Sequence, residues 1–107
     1  MDIKSGEYVR TDNGKIFKVL EVEKGSVKIK SDYREWIGIC CIKKHSFNII
    51  DLIEVGDYVN GKLIHHTDIR KNSAYIYYGN GKTFVDYQIK SIVTKEQFDR
   101  GKYVVGE

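Results

Sequence analysis

Apolar and polar residues alternate with a period of two through much of this chain. Val27-Lys28-Ile29-Lys30 and Ala74-Tyr75-Ile76-Tyr77-Tyr78 step from face to face as half-buried strands do. In the second stretch the tyrosines fall on the outer face. Residues 16–22 and 36–42 are mostly apolar and predict further strands, the latter buried for most of its length. Asn13-Gly14, Asn60-Gly61 and Gly79-Asn80-Gly81 supply the positive φ that tight hairpins need. Residues 83–89 are predicted to return from the last of these turns. Residues 47–50 and 90–93 hold comparable places near the ends of the two copies, and residues 51–55 make a single turn between them. One helix is predicted over residues 94–100: Thr94 and Gln97 form a capping box, Phe98 points inward and Gly101 stops the helix. Residues 103–105 then add a last strand.

The pattern occurs twice. Gly6-Glu7-Tyr8-Val9 and Gly56-Asp57-Tyr58-Val59 both read Gly, acid, Tyr, Val, and each is followed by a turn. From Lys15 and Lys62 onward the copies align without a gap, which matches Ile16 with Leu63, Phe17 with Ile64 and Ile29 with Ile76. Gly25 then matches Asn72, and these are the residue types that most readily take the left-handed conformation a hairpin needs. The opening "Gly-acid-Tyr-Val, turn, apolar strand" resembles the start of SH3-like barrels of the translation-factor and Tudor kind. That resemblance implies a mainly β chain of two tandem SH3-like small barrels, an internal duplication, with one short helix near the C-terminus. The repeats are placed at residues 1–50 and 51–107. Halves of this size bury too little surface to be secure alone, so they are expected to pack or to share strands.

Residues 49–62, IIDLIEVGDYVNGK, and 89–107, IKSIVTKEQFDRGKYVVGE, resemble small uncharacterised accessory proteins of clostridial and other Firmicute prophages. The likeness extends more weakly to residues 6–15, and residues 31–46 depart from it. It implies phage origin and an accessory role. By analogy with phage genes of similar size, it suggests an inhibitor of host defence of the anti-CRISPR kind. No catalytic residue carries over.

Composition narrows the function further. With 107 residues, 41% hydrophobic content and a net charge of +3, the chain has a globular balance and a mildly basic surface. No apolar run is long enough for a membrane span, and the start MDIKSGEYV lacks the apolar core of a signal peptide. The expected location is the cytoplasm of the host bacterial cell. Cys40 and Cys41 are adjacent on a predicted strand. They should therefore face opposite sides, one buried and one nearer the surface, and should not bond each other.

His45, His65 and His66 lack metal-ligand spacing, so neither a metal nor a cofactor is expected. No serine or cysteine sits in an activating context, and Gly79-Asn80-Gly81-Lys82-Thr83 is only half of a phosphate loop. The chain is therefore read as a non-enzyme. Eight tyrosines mark binding instead. The candidate contact residues are Tyr33, Arg34, Trp36, Lys43, Lys44, Tyr75 and Tyr77, aromatic rings and cations of the sort that anchor interfaces.

The expected partner is a host bacterial protein, occluded by a non-catalytic module. One alternative is a nucleic-acid-binding SH3-like module that uses Lys28, Lys30, Arg34, Lys43 and Lys44 around Trp36. Another is a binder of small molecules or nucleotides. Exposed strand edges also allow a homodimer.

Overall fold

Residues 2–30 and 35–101 are described by a computed structural model. They belong to two compact units, Met1–Leu52 and Ile53–Glu107. In the first unit the alternating stretches form β1 (Tyr8–Thr11), β2 (Ile16–Glu23), β3 (Ser26–Ile29) and β4 (Trp36–Gly38), an antiparallel meander. A 3-10 turn, Ile39–Cys41, leads to β5 (Ile42–Ser46), which returns to pair with β1. The sheet order is β4-β3-β2-β1-β5. Period-two alternation sends Val27 and Ile29 inward, onto Ile3, Val9, Val19 and Ile42. Burying a side chain of this kind contributes roughly 1.5–3 kcal/mol. A second 3-10 turn, Ile49–Leu52, closes the unit.

The second unit repeats the order with shorter strands. It contains β6 (Tyr58–Val59), β7 (Lys62–Leu63), β8 (His66–Ile69), β9 (Ala74–Tyr78), β10 (Lys82–Phe84) and β11 (Ile92–Val93). A 3-10 turn, Asp86–Gln88, follows β10, and the helix α1 (Lys95–Gly101) follows β11. The single long β2 of the first unit is matched by two strands, so the ladders divide into sheets β10-β9-β8 and β11-β6-β7. Ile53, Val59, Ile64 and Ile76 are fully buried. The architecture is mainly β with one short C-terminal helix. Among the described residues there are three sheets, and none closes into a barrel.

The echo in sequence is an echo in hydrogen bonding. The Gly6 N–H donates to Val19 O and the Gly56 N–H to Ile64 O, each at 2.9 Å. Val19 N–H returns to Glu7 O at 2.8 Å, and Ile64 N–H to Asp57 O at 2.9 Å. Both glycines have positive φ, 92° and 101°, which explains the glycine that opens each copy. The acid after each glycine folds back onto the preceding backbone. Glu7 Oε2 accepts from Lys4 N–H at 2.6 Å, and Asp57 Oδ2 accepts from Glu54 N–H at 2.7 Å.

These bonds correct the expected alignment. Val19, not Phe17, is the partner of Ile64 in the repeat. Val9 pairs with Phe17 across the first turn and Val59 with Lys62 across the second, so residues 10–16 correspond to residues 60–61 alone. The sequence match missed this because both registers keep an apolar residue at position 64. The ladders likewise place Val27, opposite Ile37, where the second unit has Ile76 opposite Phe84.

Several strand limits also differ. Residues 36–42 split into β4 and the Ile39–Cys41 turn, with Trp36 exposed, and residues 83–89 split into β10 and the Asp86–Gln88 turn. Residues 47–50 are not a strand: β5 ends at Ser46, and the turn expected at 51–55 is the earlier Ile49–Leu52. The capping box does form. Thr94 N–H donates to Gln97 Oε1 at 3.1 Å, and Gln97 N–H donates to Thr94 Oγ1 at 3.4 Å. Phe98 does not turn inward but lies against the Tyr58 ring, centroids 5.0 Å apart, and stays 44% exposed. Residues 103–105 lie outside the described residues.

Candidate functional site

In the first unit, the β1–β2 turn faces the start of β4 across a groove of about 350 Å³. Phe17, Ile29 and Ile37 make its apolar floor, and Asp12, Lys15 and Glu35 stand on its rim. The turn is pinned in place. Asp12 N–H donates to Cys41 O, and Thr11 N–H donates to Lys15 O. Thr11 Oγ1 also accepts from Lys15 N–H at 3.1 Å and donates to Asn13 Oδ1.

Trp36 stands on β4 next to Ile37 and points to the other face of the strand, 42% exposed. Lys28, its ladder partner, holds its Nζ 5.9 Å from the indole centroid. A second cation–π pair, Lys18 over Tyr8 at 5.7 Å, also joins ladder partners. Such pairs are worth about 0.5–1 kcal/mol at exposed sites.

The other candidate contact residues disperse. Lys43 is exposed and Lys44 half-buried on β5, at the opposite end of the strand order from β4. Tyr75 and Tyr77 share the outer face of β9 in the second unit, Tyr75 exposed and Tyr77 half-buried around a buried Ile76. Tyr77 lies against the His66 ring, centroids 5.1 Å apart. Tyr33 and Arg34 lie outside the described residues. Sequence reading missed the groove itself. Its floor residues come from β2, β3 and β4, and nothing in linear order shows that they share one concavity.

The cysteines differ from expectation. Both are exposed and free, with their sulfurs 3.9 Å apart. The reason is local. They sit in a 3-10 turn, where successive side chains are rotated by about 120° rather than the 180° of a strand. Cys40, its nearest neighbour, raises the Cys41 thiol above the usual 9.0, with smaller contributions from burial and Asp12.

Cys41 is therefore expected to be alkylated slowly by iodoacetamide at pH 7, with a rate that climbs as the pH rises past 9.0. A trivalent arsenical such as phenylarsine oxide should bridge both sulfurs, one equivalent per chain by mass spectrometry. Replacing either cysteine with serine should abolish that tight adduct. Two independent adducts per chain would contradict the paired geometry.

His45 Nδ1–H donates to both oxygens of Glu7, at 3.1 and 3.2 Å, from a ring 28% exposed. The His65 Nε2–H donates to Gly79 O at 2.7 Å. Among the described residues no group of three or more His, Cys, Asp or Glu side chains converges as a metal set. Within the same residues, no helix is long and apolar enough to cross a membrane. No protein-family model, curated protein or solved structure matches this chain.

Proposed function

We propose that this chain is a non-catalytic binding module of phage origin, built from two SH3-like halves, that occludes a host bacterial protein in the manner of a defence inhibitor. The SH3-like reading is supported by the element order, in which each unit runs through short antiparallel strands to a 3-10 turn and a strand that returns to pair with the first, as one sheet in the first unit and as two in the second. The resemblance of residues 49–62 and 89–107 to prophage proteins supports the origin.

The observation that carries the binding reading is the surface around β4. On one side lies an apolar-floored groove with a rim of mixed sign, and on the other an exposed tryptophan braced by a lysine. An apolar patch inside a polar rim is how protein interfaces are built. Two rim carboxylates, Asp12 and Glu35, disfavour a phosphate backbone at this place.

The tagged chain should therefore recover a stoichiometric complex from a host lysate. Trp36→Ala should weaken that complex by roughly 30-fold, the effect of losing a buried aromatic anchor worth about 2 kcal/mol. Recovery of nothing reproducible, or a complex indifferent to Trp36→Ala, would overturn the reading.

A further inference from the structure

A second cavity, of about 460 Å³, opens in the second unit between β7 and the β9–β10 turn. Lys62, Leu63, His65, Tyr78, Asn80 and Lys82 line it, and among the described residues no carboxylate does. Among the described residues no carboxylate forms an ion pair with Lys62 or Lys82. Two ammonium groups from separate strands, neither paired with a carboxylate among the described residues, therefore border one concavity, an arrangement that repels itself and draws an anion in.

The remaining wall is equally defined. The bond from His65 Nε2–H to Gly79 O ties the ring to the turn and places the neutral ring's proton on Nε2. The Tyr78 ring stacks on Phe84, centroids 4.2 Å apart. Leu63 leaves half of its surface exposed, at 50%. The volume lies in the range of small-molecule sites and exceeds what a bare oxyanion fills.

The geometry points to a binding site for an organic phosphomonoester of the mononucleotide class. Lys62 and Lys82 hold the phosphate, with the Asn80 amide as an added donor. The aromatic base rests against Leu63 and Tyr78. This is not a strand–loop–helix phosphate site: Lys82 begins β10, and no helix follows the Gly79–Gly81 turn, so side-chain cations do the work. The site lies on the second unit and does not rest on the partner-binding reading.

An NMR titration of the full ¹⁵N-labelled chain tests it. Adenosine monophosphate should shift the amides of residues 62–65 and 78–82. Adenosine and inorganic phosphate should each bind more weakly, because each lacks half of the ligand. Lys62→Gln and Lys82→Gln should each weaken the monophosphate about fivefold, in keeping with exposed charge-assisted bonds. Both lysines are surface residues, so the variants should keep the parent spectrum elsewhere.

The assignment is overturned by any of several results: no shift in these residues, binding indifferent to both lysines, or adenosine or phosphate binding as tightly as the monophosphate. Tighter and steeply salt-dependent binding of a single-stranded oligonucleotide would equally overturn it, in favour of a backbone-tracking surface.

Discussion

Asp57→Ala is expected to lower folding stability by about 3–5 kcal/mol, a large share of the 5–15 kcal/mol typical of a domain. The carboxylate is completely buried and bonds in two directions. Oδ2 accepts the Glu54 N–H at 2.7 Å, and Oδ1 accepts the Lys95 N–H at 2.9 Å. Lys95 is the first residue of α1, so the anion also sits at the positive end of the helix. Each charge-assisted bond contributes about 1.5–3 kcal/mol, and alanine would leave both half-buried N–H groups without this acceptor.

Asp57→Asn keeps one acceptor oxygen and should lose about half as much. By contrast, the ion pair between Lys95 Nζ and Glu54 at 2.8 Å should matter little, because the lysine is 42% exposed. Urea unfolding followed by far-UV circular dichroism would measure both variants. A loss below about 1 kcal/mol for Asp57→Ala would show that these two bonds do not hold the turn.

The same acid illustrates what the sequence could reveal. The Gly-acid-Tyr-Val echo announced a shared backbone device, because a glycine with forced φ and a short acid beside it leave few conformations. Glu7 and Asp57 do fold back alike. The register beyond the echo was less legible. Position 64 is apolar in either register, so hydrophobic pattern alone could not choose between Phe17 and Val19 as its counterpart. Hydrogen bonds across the ladder choose, and they are a property of the folded chain.

Strand ends failed for a related reason. Residues 36–42 read as one apolar run, yet a 3-10 turn interrupts them at Ile39 so that β5 can swing back to β1. That demand is tertiary, and a periodicity of seven residues does not record it. The candidate site suffered the same limit. Tyr75 lies on the exposed face that the alternation of residues 74–78 implied, whereas Trp36 is exposed in a stretch read as mostly buried, and the groove beside it is assembled from three strands and one turn. No single window of sequence holds it.

Arg10 escaped sequence reading entirely, and its replacement is the other large effect to expect. It follows Val9 at the end of the echo and looked like the first polar residue of a turn. Instead it is completely buried on β1, between Ile16 and Lys44 in the ladder. Its Nη1 donates to Leu52 O at 2.9 Å, across 42 residues. Leu52 ends a 3-10 turn, where carbonyls lack donors of their own, so a cation delivered there satisfies an otherwise stranded acceptor.

Arg10→Ala removes that donor and a long packed stem together, and should cost about 3–5 kcal/mol. Arg10→Met restores most of the stem's apolar volume without the donor, and should cost about 1–3 kcal/mol. The difference between the two variants, read from urea midpoints at constant slope, separates packing from hydrogen bonding. If the methionine variant matched the parent, the bond to Leu52 would contribute nothing net and Arg10 would be merely filler. If both variants lost equally, the guanidinium alone would be what fastens the Ile49–Leu52 turn to β1.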